Sequence, residues 1–485
     1  MHRRDFLRLG LLAGGLYACP GLILPAQAAV TLGRRTLVSV TLAGGPDFRH
    51  LFAPGIAANQ PADSYAARWW AARAASQGIA VAQRNIAGYA QRYTSAYLSL
   101  NQPGTAVSAG AGILASCGWL KEQWDAGNVA MIHNVIGATS RDHAHSLLVM
   151  DQGDRGSGAI DRKPGWGGRL AALLGGTARV GALTKTPRPF CLAPSGNGQP
   201  PNADLVLNLA NSRKLALAER VTNPNDPVWK QTGSELVLAR SLKSYYAGRN
   251  FNGDPALARL ARHERALREL GAQVTAQLGG GETLTDGARL PVPDAIRALY
   301  SDVAVPYPSR YWGGQIRNLH DVLALSGVVN TPVLSMEYGG WDTHKLQRDD
   351  IEGNFIDLFG KGRGFDLLWQ NLDATARRNL VLVIYGEFGR QLAANGDQGT
   401  DHGRGNAVLV IGESVKGGMY GTPFPEREIP LFARGLNDDI QGLTGVEHVF
   451  GAVADWVAGG STGNNVVNRS NALIESGLRL DQLFA

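Results

Sequence analysis

Cysteine is nearly absent: three in 485 residues, with Cys19 inside the N-terminal leader and only Cys117 and Cys191 beyond it. Neither of the two has the spacing of a zinc–thiolate site, so a metal here needs oxygen and nitrogen ligands. A disulfide between them is permitted in an oxidising compartment, and two buried thiols are the equal alternative. No block of lysine and arginine follows the leader. Removing residues 1–28 takes away three arginines and one aspartate, leaving 44 basic and 40 acidic residues. Such a balance carries no electrostatic footprint for nucleic acid. Internal repeats and low-complexity tracts are also missing. Glycine, in contrast, is abundant, 62 of 485 residues against roughly 7% on average, which predicts many tight turns and close backbone approaches.

The first 28 residues read as a cleavable leader. Basic residues His2, Arg3, Arg4 and Arg8 precede an uncharged run, Leu9 to Leu24, which ends at Pro25 and the small-residue site Ala26-Gln27-Ala28. That run is too short and too rich in glycine for a good membrane span, so no stable span is expected after cleavage. Arg3-Arg4-Asp5-Phe6-Leu7-Arg8 resembles the twin-arginine export consensus. The alternatives are an ordinary secretory signal and a lipoprotein anchored at Cys19, which Tyr17 and the continuing apolar run disfavour. A periplasmic or secreted protein, with the twin-arginine translocation machinery as partner, is the expectation. Such cargo generally crosses already folded, with its metal or cofactor in place.

The remaining chain, 29–485, is expected to be a single α/β domain, a sandwich with a mostly parallel central sheet flanked by helices. Strands are predicted at Thr36–Leu42, Val129–Ile136, Pro332–Met336, Leu380–Tyr385 and Ala407–Ile411, and helices in 62–100, Gly118–Ala126, from near Arg141, and in 313–326. Leucine and alanine at three- and four-residue spacing predict a helical insertion over about 212–300. In such sheets ligands collect at the carboxyl ends of strands.

The chemistry-bearing residues fall there. Asp47 follows the first strand; Thr139, Ser140, Asp142, His143 and His145 follow the second; Trp341, Asp342 and His344 follow the third. Glu387 and Arg390 follow the fourth, and Asp401-His402 precede the fifth. Carboxylates and imidazoles converging in this way suit a divalent cation, zinc, calcium, magnesium or manganese. Asp401-His402 can present one residue to the metal and one behind it. Arg390 is the candidate holder of an anionic oxygen, with an ion-pair role as its default. Trp341 is expected in the core or the pocket wall.

GGWDTH, EFGR and GTDHG, in this order and spacing, resemble the exported bacterial family grouped as domain of unknown function 1501, itself similar to the alkaline phosphatase and sulfatase superfamily. The resemblance runs from about residue 34 to 460. It implies an alkaline phosphatase-like fold and metal ligands Asp47, Asp342, His344, Glu387, Asp401 and His402. It also implies a nucleophile at a helix N-terminus, Thr139 or Ser140, with His143 or Arg390 stabilising an anionic oxygen. The chain departs from the pattern at Glu387-Phe388, where the superfamily usually has Asp-His, and at Asp142-His143, where the family often has Ser-His.

The implied activity is hydrolysis of a phosphate or sulfate ester on an anionic small molecule or glycan. A binding or structural protein on a degenerate hydrolase fold is the alternative, and a metal-linked isomerase or transferase the third.

Overall fold

A computed structural model of the protein describes residues 32–155, 163–195, 199–210, 309–327, 329–432, 438–470 and 472–485, together with Val30 and Ala258. The leader and almost all of the expected 212–300 insertion lie outside the described residues.

The strands are β1 Thr36–Leu42, β2 Phe52–Pro54, β3 Tyr97–Asn101, β4 Ser108–Leu114, β5 Val129–Ile136, β6 Val180–Ala182, β7 Val206–Asn208, β8 Val333–Tyr338, β9 Leu380–Tyr385, β10 Asn406–Ile411, β11 Gly418–Tyr420 and β12 Thr444–Gly445. The principal helices are α1 Tyr65–Arg73, α2 Ile86–Ala96, α3 Gly118–Asp125, α4 His143–Gln152, α5 Trp166–Leu174, α6 Ser309–Ala324, α7 Gln347–Phe359, α8 Gly364–Gln370 and α9 Val446–Ala458.

The central sheet runs β11-β5-β10-β9-β1-β8-β6-β7, with β12 also paired to β5. It is mixed and mostly parallel. β1 pairs parallel with both β8 and β9, and β6 pairs parallel with β7 and β8. β10 is the exception, antiparallel to both β5 and β9. A strand's apolar run does not encode its direction, so this reversal was not legible in the composition of β10. It has one consequence for function. The residues entering β10 sit at the same sheet edge as those leaving β9, which is how Asp401-His402 joins the others.

Every residue of β1, β9 and β10 is buried. Both sheet faces are therefore covered, as a largely parallel sheet requires. On β1, Val38, Val40 and Leu42 face one layer with Trp70 of α1, Trp119 of α3, Trp312 of α6 and Phe355 of α7. Leu37 faces the other, with Trp166 of α5 and Phe450 of α9. Cys117 lies in the first layer and Cys191 in the second, both buried as free thiols, so the disulfide alternative is not realised.

The Ala-rich stretch 62–100 is not helical throughout. Its helices α1 and α2 are followed by β3, which with β2 and β4 makes a separate antiparallel sheet. Tyr97 at the start of β3 buries its ring and donates to the His50 carbonyl at 2.8 Å. That tertiary anchor outweighs the helical propensity of the alanines before it.

Candidate functional site

Local sequence dictates how each side chain reaches the edge. Asp142 caps α4, its carboxylate accepting from His145 N at 2.8 Å, so the helix starts at His143 and aims that imidazole along the sheet edge. His145 itself is exposed. After β1 the chain turns through Gly44 and Gly45, both at positive φ. A Cβ on Gly44 would lie 2.7 Å from the Trp341 carbonyl carbon and closer still to Asp342 N. Only glycine permits this turn and this approach. Gly44→Ala is expected to displace the 341–342 segment and destabilise the fold by about 1–3 kcal/mol, the order for a strained backbone position; the denaturation midpoint of the variant checks it, and an unchanged midpoint would refute it.

Three histidines and one carboxylate meet here. His143 Nδ1 lies 2.7 Å from Glu387 Oε1, His344 Nδ1 lies 2.9 Å from Asp401 Oδ1, and His402 Nδ1 lies 3.0 Å from the Arg141 carbonyl. Carboxylates and carbonyls only accept, so each Nδ1 carries a proton, and in the neutral form of each ring the lone pair is then on Nε2. All three Nε2 atoms converge on Asp342. His402 and His344 approach Oδ1 at 2.9 and 3.0 Å, and His143 approaches Oδ2 at 3.5 Å. His344 Nε2 and His402 Nε2 are themselves 2.9 Å apart.

Electrostatics sharpen the picture. Burial pushes the Asp342 carboxyl up, but its contacts with His402 and Arg390 outweigh that and bring it to about 2. Burial pushes His402 below its ordinary 6.5. The hydrogen bond that His143 donates to Glu387 raises His143 above its ordinary 6.5. Nε2 atoms set at hydrogen-bond distance from the Asp342 carboxylate need either a proton on the nitrogen or a cation between the two groups. Donors bonded to one tetrahedral ion at ~2.0–2.2 Å stand roughly 3.3–3.6 Å from each other; the His143–Asp342 spacing of 3.5 Å matches this, and the 2.9–3.0 Å spacings of His344 and His402 are shorter. His143, Asp342 and His402 offer ligand atoms that all lie within 4.8 Å of one another. The donor set and the anchored Nδ1 atoms fit a metal ion.

Glu387 and Asp401 stand behind this set. Glu387 is buried, and its Oε1 also accepts from Gly44 N at 2.8 Å while Oε2 has no hydrogen-bond partner. It lines a small pocket with Met150, Phe388, Arg404 and Asn406. Asp401 accepts at 3.0 Å from Asn395, which also donates to His344 O at 2.9 Å. Asn395 belongs to none of the motifs, and nothing in the sequence pointed to it. Phe388 walls the site, its ring centroid 5.0 Å from His143 and 4.5 Å from His402. Trp341 is fully buried in the core.

Other expected residues are placed elsewhere. Asp47, buried, forms an ion pair with Arg73 and accepts from Gln347 Nε2 at 2.9 Å, and is not brought to the histidines. Arg73 also donates to Gln391 O and Leu392 O, and its guanidinium lies over the Trp69 ring. Arg390 is fully buried. Its donors go to the carbonyls of Gly44, Gly45, Trp341 and Thr400 and, at 2.9 Å, to Asp342 Oδ1. That pattern ties the loops of the site together and presses Asp342 into position, which leaves the guanidinium poorly placed to hold a ligand's oxygen. Thr139 is exposed, and the half-buried Ser140 uses Oγ to accept from Asp142 N at 3.0 Å. Among the described residues, neither hydroxyl is hydrogen-bonded to the histidine cluster.

Residues 327–426 match the family described as "Protein of unknown function (DUF1501)". The matched segment takes in Asp342, His344, Glu387, Arg390, Asp401 and His402; Asp47, Arg73 and His143 come from outside it. No curated protein and no solved structure matches the chain.

Proposed function

We propose that this is an exported, metal-dependent hydrolase of phosphate or sulfate esters on an alkaline phosphatase-like sandwich. The observation that carries the reading is the convergence of three anchored imidazole Nε2 atoms on the Asp342 carboxylate. His143, His344, His402 and Asp342 would hold the ion, and Glu387, Asp401 and the Arg141 carbonyl would orient the three rings. An imidazole-rich set favours zinc or another transition ion over calcium or magnesium. A divalent ion bound there supplies Lewis-acid polarisation of an ester oxygen. The side chains of His143, Asp342 and His344 are more than a third exposed, so a ligand can reach the cluster from solvent.

The leader supports export by the twin-arginine route, and among the described residues no helix is long and apolar enough to cross a membrane. Export of the folded chain would let the ion be loaded first.

Metal analysis of the purified mature protein tests the proposal: about one equivalent of a transition ion is expected for one tetrahedral set. A protein that neither contains nor takes up metal refutes it. Uptake must also fall as pH falls, because a protonated imidazole cannot ligate. His143, raised above its ordinary 6.5, is the first to compete, so affinity should start to drop above that pH. Metal titrations across pH check this, and a flat profile would argue against histidine ligands.

The burial of Arg390 and the placement of Thr139 and Ser140 favour one alternative, a metal-containing binding protein without turnover. A panel of phosphate monoesters, phosphate diesters and sulfate esters, offered to the metal-loaded protein, separates the two.

A further inference from the structure

We propose that Arg141 and Arg404 form an anion clamp beside the histidine cluster and take the oxygens of a tetrahedral oxyanion, phosphate or sulfate. The inference rests on the reading of that cluster as a metal-dependent site. With Arg390 committed to backbone carbonyls and Asp342, a side-chain cation that assists the ion in holding an anionic ligand must come from elsewhere.

Two arginines are built into the frame of the cluster. Arg141 directly precedes Asp142-His143, and its carbonyl accepts from His402 Nδ1 at 3.0 Å. Arg404 follows His402 by two residues and lines the pocket that Glu387 and Phe388 share. Their guanidinium groups divide a single carboxylate. Asp439 Oδ1 accepts from Arg141 Nη2 at 2.6 Å, and Oδ2 accepts from Arg404 Nε at 2.7 Å. Asp439 is itself fixed, its side chain 6% exposed and its backbone bridged to Gln391, next to the buried Arg390.

The charges do not cancel. Two guanidinium cations against one carboxylate leave a surplus of one positive charge, held beside the site by a buried anchor. The side chains are 35% and 51% exposed, and among the described residues neither guanidinium has a second hydrogen-bond partner. Arg404 therefore keeps both Nη groups, and Arg141 its Nε and Nη1, for a ligand. Two forks sharing one carboxylate are suited to the several oxygens of a tetrahedral anion. They also oppose the repulsion that the half-exposed Asp342 and Asp401 would exert on such an anion. A neutral sugar has no use for this surplus, so the ligand class is the oxyanion.

Equilibrium dialysis of the full chain, loaded with zinc, against inorganic phosphate tests the clamp, with thermal unfolding and zinc content read on the same samples. The wild type is expected to bind phosphate in competition with sulfate. Arg404→Gln and Arg141→Gln should each weaken it by about tenfold or more, the order expected for a charge-assisted pair, at unchanged zinc content. Arg404→Lys keeps the charge but loses the fork, and should weaken phosphate binding while holding the unfolding temperature, which a purely structural role would not do. Wild-type phosphate affinity in both glutamine variants, or no phosphate binding by the wild type at millimolar concentration, overturns the clamp. Phosphate binding that survives loss of zinc in Asp342→Ala but falls in Arg404→Gln upholds the clamp and counts against a metal role in holding the anion.

Discussion

With the metal site proposed above, Asp342→Ala is expected to yield a folded protein without the ion, falling from about one equivalent to background for a single tetrahedral set. Asp342 is the point at which all three imidazoles meet, and both of its oxygens are engaged there. Its removal takes away the one anionic ligand and leaves three neutral nitrogens to hold a divalent charge. Folding should survive, because the side chain is 45% exposed and Arg390 keeps its four carbonyl partners when Asp342 is gone. Metal content by mass spectrometry and the far-ultraviolet circular dichroism spectrum are the two measurements. Glu387→Gln makes a graded companion. It leaves the four proposed ligands but weakens the acceptor for His143 Nδ1, and a loss of ten- to a hundred-fold in affinity is the usual consequence of such a change. Metal content equal to wild type in Asp342→Ala would remove Asp342 from the ligand set.

Asp47→Ala should show the opposite profile, with metal retained and stability lost. The Arg73–Asp47 pair is buried on both sides. Truncating one partner of such a pair strands the other charge, at a cost of about 3–5 kcal/mol. The denaturation midpoint should fall accordingly, with metal stoichiometry unchanged. The pH dependence carries the same signature. Burial pushes the Asp47 carboxyl up, but Arg73, then His50 and Gln347, outweigh it and hold the group below its ordinary 3.8. A folded-state pKa below the unfolded one gives stability that is present above 3.8 and is lost as pH falls toward the folded value. Wild type should therefore lose stability in that acid window, and Asp47→Ala should have a shallower slope there. Loss of metal in Asp47→Ala without loss of stability would show that Asp47 is a ligand after all.

These two variants separate residues that the motifs had grouped together. Asp47, Asp342, His344, Glu387, Asp401 and His402 are together the ligand set that the family resemblance implies. The structure sorts them by what faces each one. Asp47 meets a guanidinium, Glu387 and Asp401 meet the Nδ1 atoms of histidines, and Asp342, His344 and His402 meet one another. His143, read as a stabiliser of charge, joins the last group.

Sequence alone determined the frame. The largely buried strands β1, β5 and β9 could be bounded to the residue, because each ends at a turn that opens on or beside a glycine, Gly44, Gly137 and Gly386. It also determined which sheet edge would gather the carboxylates and histidines. Tertiary structure decided the direction of β10, the strand nature of β3, and the partner of every charge at the edge. The reason is physical. A strand's composition records its burial but not its orientation, and a charge records its sign but not its counter-ion. Arg73 lies 26 positions from Asp47, and Asp439 lies 298 from Arg141. Only the packed sheet brings such groups within hydrogen-bond reach, and that pairing divides the members of the histidine cluster from the structural anchors.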